Sequence, residues 1–280
     1  MTSSEQRTLS NCTTATTKLM EEVRGVVLAA GRGRRMGDAT DNSPKCLQTV
    51  HGRPLLDHVL DAFRQSGIHE VAIVTGYREQ DIRDRVDVTF HNEKWETTNM
   101  VSSLTAADEW LSVYPCIISY SDIFYEPQAI SLLEEALLLS GQSELTVLYD
   151  PRWLELWKKR FVDPLVDAET FRISNKNEVI EIGGKPSSLD EIEGQFMGLW
   201  SVTPKIWQTL MDLLITLPNP LQRSIDTTAL IQRWIDGDCG VVRAIRYMGL
   251  WGEVDRAEDL TVYESLKSSA ITMSDMDSGS

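Results

Sequence analysis

The stretch that decides the fold runs Val23-Arg-Gly-Val-Val-Leu-Ala29 and continues as Ala30-Gly-Arg-Gly-Arg-Arg-Met-Gly37. Its first half is a short β-rich apolar run of the kind that forms a buried strand. Its second half is a turn crowded with glycine and arginine. Glycine lets backbone N–H groups approach phosphate oxygens with no Cβ in the way. Arginine adds forked cationic donors that match a polyphosphate. Ligands of open α/β sheets lie at the carboxyl ends of the strands, where this loop falls. Taken alone, the loop is also readable as a surface turn with incidental arginines.

Two better-known glycine loops are excluded. A P-loop needs GK[ST], and the Gly-Lys pair Gly184-Lys185 is followed by Pro186. A dinucleotide fingerprint needs GxGxxG opening straight into a helix. Here the third glycine is misplaced by one position, and the turn-rich segment Asp38–Pro44 follows.

Working outward, strand and helix signals alternate. Pro54–Gly67 reads as a helix, with Leu55, Leu56, Val59, Leu60 and Phe63 on one face. Glu70–Thr75 and Val86–His91 read as strands, Gln80–Arg85 and Val101–Leu111 as helices. The strand Cys116–Tyr120, the helix Pro127–Leu139 and the strand Leu145–Tyr149 follow. Such alternation predicts a mainly parallel sheet covered on both faces. Beyond it, Phe171–Ser174 and Val179–Ile182 form a hairpin signal, and Phe196–Thr203 a longer strand. Helices at Lys205–Leu217 and Asp226–Asp236, a strand at Val241–Tyr247 and a closing helix at Arg256–Leu266 complete the pattern. The expected fold is α/β: a mainly parallel, Rossmann-like mixed sheet with a hairpin-containing extension at one end, where a pocket for a second substrate could form. Residues 1–22 and 268–280 are Ser-rich and read as disordered tails around one domain at 23–267.

The chain has 280 residues and a formal net charge of −15, which disfavours nucleic acid and anionic membranes as partners. Arg32, Arg34 and Arg35 form a positive spot in that field, which suits a small anionic ligand. Cys12, Cys46, Cys116 and Cys239 show no CxxC spacing, so no zinc site is expected, and the pattern fits a reducing, cytoplasmic setting. No apolar run reaches the length of a membrane span.

Leu28-Ala-Ala-Gly-Arg-Gly-Arg-Arg-Met36 followed by Ser43-Pro-Lys-Cys-Leu47 resembles the opening signature of the nucleoside-triphosphate transferase family, the sugar-nucleotide pyrophosphorylase fold. Arg34-Arg35 stands where that family carries [ST]R. The resemblance implies that the loop from Ala29 and Ala30 through Gly31, Arg32 and Gly33 wraps the triphosphate. It implies that Arg35 and Lys45 hold the phosphates and the departing pyrophosphate.

Nucleotidyl transfer runs on positioning and charge neutralisation, usually with Mg²⁺, which takes carboxylate ligands. Asp122 ends a buried strand, and Glu253 and Asp255 share one side if Trp251-Gly-Glu-Val-Asp255 is extended. Asp255 also suits the N-cap of the helix it precedes. Ser121-Asp122 is similar to the family's metal-site aspartate. Trp251-x-Glu-x-Asp255 with Glu258-Asp-Leu260 resembles the closing signature of its cytidylyltransferase branch. This implies Asp122 and Asp255 as Mg²⁺ ligands, with Glu253 as a further ligand or a partner behind them.

Asn92 followed by Thr97-Thr-Asn-Met-Val-Ser-Ser-Leu104 is similar to a segment of bacterial phosphocholine and phosphonate cytidylyltransferases, and so is Gly194-Gln-Phe-Met-Gly-Leu199, with Gln195 where an acid is common. Asn99 and Ser102 are then placed near nucleotide and acceptor, although Asn99 also fits a helix N-cap. Lys185 resembles an acceptor-side lysine of the sugar branch and is equally readable as a surface residue of the hairpin. Tyr120, Tyr125, Trp200 and Trp251 flank these positions and would suit a quaternary ammonium, although aromatics on α/β strands are also readable as core. The expected reaction is CMP transfer from CTP to a small phosphorylated or phosphonate acceptor. The alternatives are a sugar-1-phosphate nucleotidyltransferase using UTP, dTTP or GTP, and a non-catalytic nucleotide-binding relative. The acceptor and any oligomer are left open.

Overall fold

The computed structural model describes residues 23–139 and 144–265. The two expected tails, Cys12 and the end of the closing helix lie outside the described residues. In chain order the strands are β1 (Arg24–Ala29), β2 (Thr49–Val50), β3 (Arg53–Pro54), β4 (Val71–Thr75), β5 (Val88–His91), β6 (Cys116–Tyr120) and β7 (Ile123–Tyr125). They continue as β8 (Leu145–Asp150), β9 (Phe171–Ile173), β10 (Val179–Ile182), β11 (Gln195–Val202), β12 (Val242–Arg246) and β13 (Trp251–Glu253).

Seven of these form the main sheet, in the order β12-β8-β11-β6-β1-β4-β5. All its pairings are parallel except the two made by β11, which runs against both β6 and β8. The expectation of a mainly parallel mixed sheet therefore holds. β1 lies between β4 and β6, and Val26 and Val27 are fully buried on opposite faces. That two-sided burial is why the segment reads as an unbroken apolar run.

One face packs on the helices at Pro204–Thr216 and Thr227–Asp236 and on the Met100–Leu111 segment. The other packs on the helices Leu55–Ser66, Gln128–Leu139 and Trp153–Arg160. The hairpin β9–β10 docks on the Thr227–Asp236 helix, where the Ile182 N–H donates to Gln232 Oε1 at 2.8 Å. No helix among the described residues is long and apolar enough to cross a membrane.

The structure corrects the sequence reading in several places. Gln80–Arg85 is a pair of 3₁₀ turns, Glu79–Asp81 and Arg83–Arg85. Its polar residues bury Ile82 but offer no continuous apolar stripe to hold a helix. Val101–Leu111 is broken into helices Met100–Leu104 and Asp108–Leu111 by a 3₁₀ turn at Thr105–Ala107. The short strands β7 and β13 and the helices Trp153–Arg160 and Asn219–Ser224 were not foreseen. Trp153–Arg160 is held by Trp153 and Trp157, one turn apart and both buried. So short a helix is stable only through such packing.

Candidate active site

β1 delivers the chain to Gly31 and Gly33 at its carboxyl end. Gly33 adopts φ +76°, and a Cβ there would lie 2.6 to 2.9 Å from the Cβ, Cγ and Cδ atoms of Lys45. The loop therefore needs glycine at 33 for two reasons: a left-handed backbone and the passage of the lysine stem. Pro44 is extended, and the short 3₁₀ turn Lys45–Leu47 begins directly after it. The Lys45 side chain runs beneath the loop with little exposure.

Lys45 Nζ donates to Asp122 Oδ2 at 2.7 Å and to Asp255 Oδ1 at 2.8 Å. Two strands too short to stand out in the sequence bring those carboxylates together. β7 and β13 pair antiparallel, Ile123 opposite Glu253, and the Val254 N–H donates to the Asp122 carbonyl at 2.9 Å. Met36, Val50, Leu55, Phe124, Val254 and Tyr263 form a small apolar cluster that anchors this pair. Asp255, 3% exposed at its side chain, also forms an ion pair with Arg35 at 2.7 Å and lies 3.4 Å from Arg160 Nη2. Asp255 is thus not the helix cap that its position allows. Asp259 reaches back instead and accepts from the N–H groups of Asp255 (2.8 Å) and Arg256 (3.0 Å), so Asp255 faces the cations.

The electrostatics follow from this crowding. Burial would lower the Lys45 ammonium, but Asp122, Asp255 and Glu253 outweigh it and raise its pKa above the usual lysine value. Burial would raise the Asp255 carboxyl, yet Lys45, Arg35 and Arg160 hold it below the ordinary carboxylate value. Glu253 goes the other way: burial and the neighbouring Asp255 push its carboxyl well up.

Among the described residues no group of three or more His, Cys, Asp or Glu side chains forms a ready-made metal site. The donor set nonetheless fits Mg²⁺. Asp122 Oδ1 is buried without a hydrogen-bond partner, and Asp122 and Asp255 already share one cation, the Lys45 ammonium. Oxygen donors of this kind suit a hard divalent ion that keeps several sites for phosphate and water.

A cavity of about 320 Å³ opens beside this cluster. Of the foreseen residues, Ala30, Gly31, Gly33, Arg35, Lys45, Asn99 and Asp122 line it. Asp255 and Glu253 join through the ion pairs around Lys45 and Arg160. Ala29 is buried within β1. Arg32 turns away and pairs with Asp41. Asn99 caps its helix, accepting from the Met100 N–H at 2.8 Å, while also lining the cavity. Ser102 is not brought to this cavity: its hydroxyl donates to the Gln222 carbonyl at 3.0 Å, and the next residue, Ser103, lines the cavity instead. Lys185 is tied to the Leu165 carbonyl, likewise away from the cavity.

Of the four aromatics, only Tyr120 lines the cavity. Its ring lies over Gly198, whose φ of +74° marks a bulge in β11 and whose missing Cβ leaves the ring its place. Tyr125, Trp200 and Trp251 are core residues. Gln195 is buried, and its amide clamps the Glu169 backbone, donating to the carbonyl at 2.7 Å and accepting from the N–H at 3.2 Å. Sequence reasoning missed Trp95, which lines the cavity and packs on Tyr77 at 5.2 Å, and Arg160, while Asp259, part of the closing signature, was given no role there. The signal for Trp95 was present, an aromatic just before the Thr97–Leu104 segment; no local pattern announces Arg160. Cys46 and Cys116 are buried, and burial pushes both thiols up to about 12.

Cations and carboxylates converging on one cavity at the carboxyl end of a parallel strand define the class: this is an enzyme of nucleotidyl transfer. The chain belongs to the family of MobA-like NTP transferase domains, whose pattern residues 25–175 match. Over 256 residues it is 30% identical to CTP:phosphoglutamine cytidylyltransferase of Campylobacter jejuni subsp. jejuni serotype O:2, spanning 86% of this chain and 98% of that protein. Choline-phosphate cytidylyltransferase of Haemophilus influenzae is 31% identical over 105 residues, 36% of this chain and 44% of that one. Among solved structures, the inositol-1-phosphate CTP transferase from T. maritima superposes with a TM-score of 0.68 at 17% identity, over 86% of this chain and 93% of that chain, a likeness of fold alone.

Proposed function

We propose that this protein transfers CMP from CTP to a small phosphorylated or phosphonate acceptor and releases pyrophosphate. The observation that carries the reading is the Lys45 ammonium bridging Asp122 and Asp255 beside the glycine–arginine loop. The lean to CTP draws on the relatives, which are named for cytidylyl transfer to phosphoglutamine, choline phosphate and 2-aminoethylphosphonate. The near full-length match to the first of these favours a phosphorylated amino-acid derivative among the acceptors to be tried first.

In this reading the loop at Gly31 and Gly33 presents backbone N–H groups to the triphosphate, and Arg35 and Lys45 neutralise the pyrophosphate as it departs. An acceptor phosphate or phosphonate oxygen is already anionic at neutral pH, so no general base is needed. That oxygen forms a bond to the α-phosphorus, and the bond from the α-phosphorus to the bridging oxygen breaks, leaving its electron pair with pyrophosphate. Asp122 and Asp255, with Glu253, would hold Mg²⁺, which when bound offsets charge on the α-phosphate and orients the acceptor oxygen.

The test is a pyrophosphate-release assay over a grid of CTP, UTP, dTTP and GTP against phosphoglutamine, phosphocholine, 2-aminoethylphosphonate and sugar-1-phosphates. CTP with a non-sugar acceptor is expected to give the highest kcat/KM. Preference for a sugar-1-phosphate with another nucleotide would replace this reading, and nucleotide binding without turnover on any acceptor would make the chain a non-catalytic relative.

A further inference from the structure

Arg160 stands apart from every residue that a sequence motif identifies. It ends the helix Trp153–Arg160, and its side chain is 0% exposed. The guanidinium lies against the rings of Trp157 and Phe161, at 4.8 and 5.0 Å from their centroids. A buried guanidinium is tolerated only where carboxylates answer its charge. Asp259 does so with both oxygens, accepting from Nε at 3.0 Å and from Nη2 at 3.1 Å. This forked pair fixes the plane of the group. With that plane set, Nη2 lies 3.4 Å from Asp255 Oδ2, on the side of the carboxylate opposite Lys45, which takes Oδ1. Nη1 is buried with no hydrogen-bond partner and lies 3.8 Å from Glu253 Oε2. A buried N–H donor left without a partner is costly, and here it is aimed at a carboxylate just beyond bonding distance.

The geometry points to Arg160 as a positioning residue for the reaction: anchored by Asp259, it orients the Asp255 and Glu253 carboxylates and supplies the spare donor for Glu253, thereby setting the affinity of that pair for a divalent cation. The inference rests on the metal reading of Asp122, Asp255 and Glu253. Arg160 touches neither nucleotide nor acceptor in this scheme. It acts through the acids, as outer partners of metal ligands do, whose loss weakens binding by about 10- to 100-fold. Asp259 belongs to the same device, since it both grips Arg160 and holds the backbone at Asp255 and Arg256.

The experiment uses Mn²⁺ alone as probe, titrated into the full chain and followed by loss of its free EPR signal. Arg160→Lys and Asp259→Asn are compared with wild type and with Asp255→Asn, each checked for folding by its thermal transition. Both variants are expected to weaken Mn²⁺ by about tenfold or more, and the double variant to be no worse than the weaker single. In turnover, the Mg²⁺ concentration for half-maximal rate rises to match, while KM for CTP at saturating Mg²⁺ stays within about twofold. A merely structural role would not produce that split. Should Arg160→Lys fail to fold, Asp259→Asn decides. Unchanged Mn²⁺ affinity in the folded variants, with Asp255→Asn clearly weakened, overturns the role of Arg160 alone. Unchanged affinity in Asp255→Asn overturns the metal reading and this inference with it.

Discussion

Gly33→Ala is the most economical probe of how the loop and the lysine are built together. The new Cβ would meet the Lys45 stem at 2.6 Å, and the backbone would hold an alanine at φ +76°. A non-glycine residue in the left-handed region costs about 1 to 2 kcal/mol. Ordinary contact begins near 3.4 Å, so the stem must retreat by most of an ångström. It is anchored at its far end by two ionic hydrogen bonds of 2.7 and 2.8 Å. Loss of one such bond costs about 1.5 to 3 kcal/mol. Together the substitution should lower unfolding free energy by about 2.5 to 5 kcal/mol. Displacing the lysine from the phosphate site should cut kcat by about 100-fold. Gly31→Ala supplies the contrast: a Cβ there has nothing within 4 Å, and Gly31 is not among the residues with positive φ. Its urea midpoint should stay near wild type, within about 0.5 kcal/mol. Urea unfolding of both variants and a pyrophosphate-release assay of Gly33→Ala make the comparison. Equal stability of the two variants, or wild-type turnover in Gly33→Ala, would refute the argument that the glycine exists to let Lys45 through.

Asp122→Asn is expected to reduce turnover by about 100-fold or more and to cost up to about 1.5 to 3 kcal/mol of stability, because it removes the charge from one of the two partners of Lys45. Asp255→Ala should add a stability loss of about 3 to 5 kcal/mol, because it strips a buried carboxylate from Lys45, Arg35 and Arg160; near-normal rates in either variant at saturating Mg²⁺ would remove these residues from the mechanism. EDTA should abolish turnover, with Mg²⁺ restoring it; full activity in EDTA would contradict the scheme. Glu169 is raised from the ordinary 4.5 to about 7 by burial and by repulsion from Asp226. The folded state therefore holds a proton that the unfolded state releases near 4.5, so this contribution to stability is complete below that pH and lost as pH rises through 7. Glu169→Gln should flatten that part of the stability–pH profile, and urea unfolding at pH 5 and pH 8 checks it; an unchanged profile would mean another group titrates there.

Much of the fold was legible because burial leaves a local mark. β1 reads as an apolar run since both its faces are covered, and the helix at Leu55–Ser66 shows its apolar stripe. Elements with no such mark were missed. β7 and β13 are three residues each and exist through their mutual pairing and the cluster around Phe124 and Tyr263. Around the cavity, family motifs located Gly31, Gly33, Arg35, Lys45 and Asp122, but they also nominated Ser102, which the local helix turns toward Gln222. A motif specifies residue types in order; which side of a helix faces a cavity depends on what packs behind it.

By itself, then, the sequence of this protein determined the alternation of strand and helix, the glycine–arginine turn at the end of β1, and the carboxylates after β6 and β13. These follow from local periodicity, from conformational preference and from recognisable order along the chain. Only the tertiary structure decided that one lysine joins Asp122 to Asp255, that Gly33 is required by the stem of Lys45, and that a buried Arg160 stands behind the acids. Those are contacts between segments remote in the chain. Their energy comes from burial and charge pairing that exist only once the sheet has assembled, so no local pattern records them.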